Sequence, residues 1–416
     1  MFWLLFTCLF DKNSVLYMNK QQKENTMKKY ITFIITLCTI LWFGLSSIAN
    51  AHHKAFDQIW KPYNYVAKGS DDYRKLETDL IEENKLTKFV DKQLDNRHKT
   101  GLVNYVVFED GKIKINKNNY TAEIKKNNNL LRSNSMGKSI AAYVVGHAVC
   151  KGKINNINQS VADWGILNNT LYANNTLLEV LNMTSGDHNH IGEYKYGQVK
   201  GSNDGAYKGK AKNRIHKFSV AQNLNKYFRG TEKKKSVYNY SAMSTLVALN
   251  YMISKFETAQ EYETFLAEVF TDHVGVKDDV MFSKTSWSSA DFNEGNSRFT
   301  FWAKSDDYLR IVLTMVEDYN SDTCIGQYMR DIYDNRVNKG HTEFSDHQSG
   351  AYTKHYGGQF HMNFIGMSKR VIFAMDGAGG QQILMDMENG RVVMVASIDQ
   401  HYNWKKIVYN VMKKGL

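Results

Sequence analysis

Three strand-length runs near the C-terminus constrain this chain most. Arg370-Val371-Ile372-Phe373-Ala374-Met375, Gln382-Ile383-Leu384-Met385-Asp386 and Arg391-Val392-Val393-Met394-Val395-Ala396 are rich in β-branched and apolar residues. Gly377, Gly379 and Gly380 separate the first two, and Glu388-Asn389-Gly390 turns the second into the third. A further hairpin lies far upstream, where Val103 to Phe108 and Lys112 to Ile115 flank Glu109-Asp110-Gly111. Its Asp-Gly pair suits a tight turn that needs positive φ. Helical stretches lie between, among them Ser244 to Lys255 and Phe301 to Tyr319, and the chain closes on an amphipathic helix with Trp404, Ile407, Val408 and Val411 on one face. This order predicts an α+β fold in which the N-terminal hairpin joins the C-terminal strands in one antiparallel sheet. Helices flank the sheet, and a mostly helical lobe is inserted.

Residues 1–26 read as an upstream segment preceding the true start. Residues 27–51 read as a signal peptide: basic Met27-Lys28-Lys29, an apolar run from Tyr30 to Leu45, and the small-x-small pair Ala49 and Ala51. The run is shorter than the ~20 residues of a comfortable membrane span, so cleavage near His52 is expected, leaving no stable membrane anchor and a periplasmic or secreted product. The charged pattern of residues 52–99 predicts a helical N-terminal extension, followed by the main domain over 100–416.

With 43% hydrophobic and 23% charged residues the 416-residue chain is globular rather than disordered. Its formal net charge is +11, of which residues 1–51 supply +3. No basic run is interleaved with aromatics, so a solvated lysine-rich face is favoured and no nucleic-acid partner is expected. Of four cysteines, Cys150 and Cys324 follow the expected cleavage site. Whether they pair is left open, since Cys150 also fits as a small buried hydrophobe. No Cys-x-x-Cys occurs, so neither a zinc ribbon nor a dithiol redox pair is indicated.

The chemistry concentrates at Ser135-Met136-Gly137-Lys138, which precedes the apolar run from Ile140 to Cys150. Serine and lysine three apart share one helix face. A hydroxyl becomes a nucleophile when a nearby base takes its proton, and a desolvated amine can serve as that base. The helix N-terminus adds amides and a positive dipole end that favour developing negative charge. Asp187-His188-Asn189-His190 has the residue types of a metal site but lacks the partner motifs a hydrolytic metal centre needs, so no metal is predicted.

In order, Ser135-Met136-Gly137-Lys138, Thr184-Ser185-Gly186, Tyr240-Ser241-Ala242 and Gly377-Ala378-Gly379-Gly380-Gln381 resemble the serine hydrolases of the class C β-lactamase and penicillin-binding-protein superfamily. The likeness is closest to the branch of 6-aminohexanoate-oligomer hydrolases and esterases, and it spans roughly residues 100 to 416. It implies a β-lactamase/transpeptidase-like fold, Ser135 as the acylated nucleophile, Lys138 as its base and Tyr240 as the proton relay. The amides of Ser135 and Ala378, the latter supported by Gly377, would form an oxyanion hole. No cofactor is implied. Two departures stand out. Ala242 stands where many members have an asparagine, a position at which the nylon-oligomer branch also departs. Met375 stands where a lysine or histidine commonly holds a substrate carboxylate, which removes a charge-assisted bond. His355-Tyr356-Gly357 is an alternative third motif, but it lacks the strand and turn context of Gly377.

The resemblance therefore implies hydrolysis of a small or oligomeric ester or amide ahead of DD-peptidase or β-lactamase chemistry. A catalytically silent envelope-binding protein of the same fold is the remaining alternative, which the retention of Lys138 and Tyr240 disfavours. The loop from 187 to 209 and the segment from 340 to 362 are expected to shape the pocket. Oligomeric state and substrate identity are not encoded legibly.

Overall fold

The computed structural model describes residues 64–187, 218–233, 236–285, 291–340 and 349–416, and the backbone alone of two strands, β5 (Gly192–Lys195) and β6 (Gln198–Gly201). The upstream segment and signal peptide, His188 and His190 of the metal-like cluster, most of the 187 to 209 loop and residues 341–348 lie outside the described residues.

The predicted sheet is present. Strands β2 (Leu102–Glu109) and β3 (Lys112–Asn118) form the upstream hairpin, with Asp110 at φ 53 and Gly111 at φ 77 in its turn. The C-terminal meander is β12 (Ile372–Gly377), β13 (Gln381–Asp386) and β14 (Val392–Ser397). The hairpin joins it through β2 and β14, with Val107 opposite Val393. Adding β9 (Val337–Asn338), β10 (Thr353–Gly357) and β11 (Phe360–Phe364) gives an eight-stranded antiparallel sheet ordered β3-β2-β14-β13-β12-β11-β10-β9 among the described residues.

Both sheet faces are covered, and every residue of β12, β13 and β14 is buried. On one face Tyr105, Ala374, Leu384 and Val393 pack with Trp404, Ile407 and Val411 of the terminal helical segment and with Val90 and Leu94 of helix α1 (Lys85–Asp95). Helix α2 (Met136–Cys150) runs on the other face and is apolar nearly all round, as expected of a helix enclosed on every side. Helix α3 (Leu177–Leu181) opens on the capping box formed by Thr176 and Glu179. Helices α4 (Ala242–Ile253) and α5 (Ala259–Ala267) follow it, and α5 continues into the π-helical turn Glu268–Val274. Together they supply most of the helical lobe. Helices α6 (Ser305–Tyr319) and α7 (Cys324–Asp334) return the chain to the sheet.

A second sheet, of four strands among the described residues, was not expected. It joins β1 (Asn64–Ala67), β4 (Leu131–Arg132), β7 (Val280–Lys284) and β8 (Ser297–Ala303). It changes two sequence expectations. The stretch from 52 to 99 is not a helical extension where it is described: β1 pairs with β7, and the Tyr65 hydroxyl donates to Asn296 at 2.6 Å in the core. Residues 77–81 run extended beside β3, exchanging backbone bonds such as Asp79 to Ile113 at 3.0 Å. The unpaired edge of β3 offers that chain more than its own helix propensity does. Only Lys85–Asp95 and Arg97–Thr100 are helical there. Likewise Phe301 to Ala303 belong to β8, and the helix begins at Ser305.

Cys150 and Cys324 are joined in a disulfide. It ties the end of α2 to the start of α7 where the two helices already touch closely. A side chain at Gly146 would run into the Tyr328 ring, and the Tyr328 hydroxyl donates to the Ala142 carbonyl at 2.7 Å. The bond closes a loop across a sequence separation of 174 residues, so its loss frees a large part of the unfolded chain. Replacing both cysteines by alanine is expected to lower unfolding free energy by about 2–5 kcal/mol in urea titrations, with the native fold retained.

Candidate active site

Ser135 sits at the start of α2 because the chain before it is fixed from two sides. Leu131 and Arg132 pair with Ala303 and Trp302 of β8. Ser133 then exchanges bonds with Phe301, its amide donating to the Phe301 carbonyl at 2.9 Å and its Oγ accepting from the Phe301 amide at 2.8 Å. Asn134 takes φ 47, a left-handed conformation that asparagine tolerates better than most residues. Its Nδ2 donates to the Ala378 carbonyl at 2.6 Å. That bond joins the serine turn to the turn after β12, where a side chain at Gly377 would strike the Ser133 carbonyl oxygen. Glycine is needed here for approach. Gly137 meets the same requirement on the other flank, against the Phe299 carbonyl of β8.

Lys138 lies one turn into α2 and is 2% exposed. Its Nζ donates to Ser135 Oγ at 2.7 Å and lies 4.0 Å from the Phe299 ring centroid and 4.8 Å from that of Tyr240. Serine, lysine and tyrosine, separated by up to 105 positions in sequence, are therefore brought together. Among the described residues, the amides of Ser135 and Ala378 donate to no protein acceptor. Amide donors left without a protein acceptor can receive negative charge from a bound group without reorganising.

The tyrosine is held by a network that sequence reading did not anticipate. Tyr240 immediately precedes Ser241, the N-cap of α4, whose Oγ accepts from Ser244. The Asn239 amide donates to the Met183 carbonyl at 2.9 Å. Asn239 Nδ2, Ser244 Oγ and the Tyr172 hydroxyl all donate to the carboxylate of Asp187, at 3.3, 3.3 and 2.8 Å. Asp187 is fully buried, and burial raises its carboxyl above the ordinary range even though these hydrogen bonds pull it down. Thr184-Ser185-Gly186 thus serves to deliver Met183 and Asp187 to the base of the Tyr240 loop. Asp187 spends its oxygens on these donors.

Ala242 is buried, and Met375 is buried and apolar within β12. His355 lies on β10, so strand context is present, but β11 separates it from β12. The imidazole beside the site is instead His361 of β11, whose ring stacks on Tyr240 at 6.3 Å with 17° between planes, and whose Nε2 is 3.8 Å from Asp376. A lone histidine in an apolar strand gives no sequence signal of this. The run Arg298-Phe299-Thr300-Phe301-Trp302, rich in aromatics, was a readable sign of β8.

The fold is similar to those of solved β-lactamase-like and penicillin-binding proteins. Among solved structures, a Bacillus anthracis protein provisionally named a 6-aminohexanoate-dimer hydrolase superposes with a TM-score of 0.59 at 15% identity, over 87% of this chain and 92% of its own. A penicillin-binding protein from Bacillus halodurans matches at TM-score 0.53 and 11% identity, over 78% and 99%. A protein of Bacteroides dorei DSM 17855, provisionally named a β-lactamase, matches at 0.52 and 12%, over 80% and 98%. No family model and no curated protein matches the chain by sequence. The likeness is one of fold.

Asp187 yields a pH test. Its folded-state carboxyl is raised above the unfolded value, so the folded state binds this proton more readily. The stability it contributes is present at low pH and is lost as pH rises through the folded value. On going from pH 7 to about 4, wild-type protein is expected to gain stability relative to Asp187→Asn, measured by chemical denaturation at each pH.

Proposed function

We propose that the protein is an exported serine hydrolase that cleaves an ester or amide through an acyl-enzyme on Ser135. The observation that carries this reading is the 2.7 Å contact between buried Lys138 Nζ and Ser135 Oγ at a helix start, with Tyr240 beside it. Burial favours the neutral amine as the reacting form, with a lone pair to accept the hydroxyl proton. Ser135 Oγ then bonds to the substrate carbonyl carbon, and the oxygen that becomes negative is received by the Ser135 and Ala378 amides. Collapse breaks the bond to the leaving group, which takes the proton from Lys138 by way of Tyr240. Water attacks the acyl-serine, yields its proton to the same pair, and releases the acid while Ser135 regains its hydrogen. These steps need no cofactor.

Met375 bears on substrate choice. An apolar side chain at that position offers no cation for a substrate carboxylate, which favours neutral esters and amides over β-lactams and peptide C-termini. Hydrolysis of small linear amides, as in the name of the Bacillus anthracis structure, belongs to the same substrate class. Export rests on the signal pattern of residues 27–51 and agrees with the Cys150–Cys324 disulfide, since such bonds persist in oxidising compartments.

With p-nitrophenyl acetate, a burst of product and an acyl adduct on Ser135 are expected by intact mass. Ser135→Ala should lose both, and Lys138→Ala and Tyr240→Phe should each lower kcat by about 10²–10⁴-fold. Equal turnover by the folded Ser135→Ala variant would overturn the reading.

A further inference from the structure

Away from the serine, at the opposite end of α2, three side chains from three elements converge. His147 comes from α2, His273 from the turn Glu268–Val274, and Asp318 from α6. One ligating atom from each lies within 4.8 Å of the other two. His273 Nε2 is 3.0 Å from Asp318 Oδ1, and the two imidazole rings are 5.0 Å apart. His147 Nε2 is buried and has no hydrogen-bond partner, in a helix where other polar side chains do have one. A buried imidazole nitrogen with no partner is costly. Its presence beside a second imidazole and a carboxylate calls for a common acceptor of electron pairs.

We propose that His147, His273 and Asp318 form a binding site for one divalent transition-metal cation of the zinc class. Donor type and spacing both fit. Two imidazoles and a carboxylate are borderline ligands suited to zinc. Metal–ligand bonds of about 2.0–2.1 Å at tetrahedral angles separate ligand atoms by about 3.3 Å. The candidate ligand atoms lie within 4.8 Å of one another, so binding would draw the widest pair together by up to about 1.5 Å. The surroundings resemble an outer shell: the Tyr143 hydroxyl donates to Asp318 Oδ2 and orients the carboxylate, and its ring packs edge-on against His147 at 4.6 Å. An open pocket of ≈ 500 Å³ adjoins the cluster, lined by His147, His273, Lys151, Glu268 and Asp272 among others. It leaves a fourth coordination position accessible to water or an anion.

The site is distinct from the proposed catalytic one. His147 and Ser135 are twelve residues apart on one helix, about 18 Å at 1.5 Å per residue. A cation there would brace α2 against α6 and the Glu268–Val274 turn, beside the disulfide that braces α2 against α7. Sequence reading could not find it, because its ligands are 126 and 45 positions apart.

The test uses purified full-length protein, disulfide intact, stripped with a chelator and titrated with Co²⁺ and then Zn²⁺. One equivalent of Co²⁺ should give the intense visible absorption of a four-coordinate site, which Zn²⁺ displaces. Free Zn²⁺ at 100 times its dissociation constant should raise the folded-to-unfolded ratio about 100-fold. His273→Ala, at a partly exposed position that the fold tolerates, and His147→Ala should each abolish both signals, and Asp318→Asn should weaken binding at least tenfold. Absence of the Co²⁺ band, or an unchanged band in His273→Ala, would overturn the proposal. A band lost only on replacing His188 and His190 would place the metal elsewhere and overturn it as well.

Discussion

Everything at the candidate site depends on keeping an amine dry. Water would hold Lys138 as a solvated cation and pull it from the serine. The chain excludes water by packing the first turn of α2 between two sheets, β8 on one flank and the end of β12 on the other. Gly137 and Gly377 permit that approach, because neither flank leaves room for a side chain. Phe299 closes the space over the amine with an aromatic face, which tolerates positive charge without solvating it as water would. Apolar packing and the absence of two side chains therefore do as much to set the Lys138–Ser135 contact as the two polar groups do.

The second sheet takes its meaning from the same requirement. β1, β7, β8 and β4 form a backing wall whose last two strands fix Ser133, and through it the left-handed turn at Asn134. On the other side Asp187 anchors the loop that carries Tyr240. A buried carboxylate is costly, and here the cost is offset by hydroxyl and amide donors from Tyr172, Asn239 and Ser244. Serine and lysine ride on one rigid helix, and tyrosine arrives on a separate loop pinned to a separate acid.

The parts legible in the sequence were those written locally. Ser135 and Lys138 share a helical turn, the Asp110-Gly111 hairpin is a two-residue code, and the three C-terminal strands announce themselves by composition and glycine spacing. What stayed hidden depended on partners far along the chain. Residues 75–82 carry a helical pattern, yet the open edge of β3 draws them into extended pairing. Cys150 suits a buried hydrophobe until Cys324 is placed beside it. Asp187 resembled part of a metal cluster, and only the packing of α4 against α3 shows its oxygens engaged by hydroxyls and an amide. His361 stands on a strand with no signal that Tyr240 will lie across its ring.

The crossing of α2 and α7 at Gly146, with the disulfide a turn beyond, gives α2 the character of a beam clamped at both ends. One end is wedged between sheets and the other is bolted to a neighbouring helix. Such a beam is held against tilting at both ends. Variation at this end of the molecule is therefore left to the segments packed around α2, and the helix is the fixed datum from which they are measured.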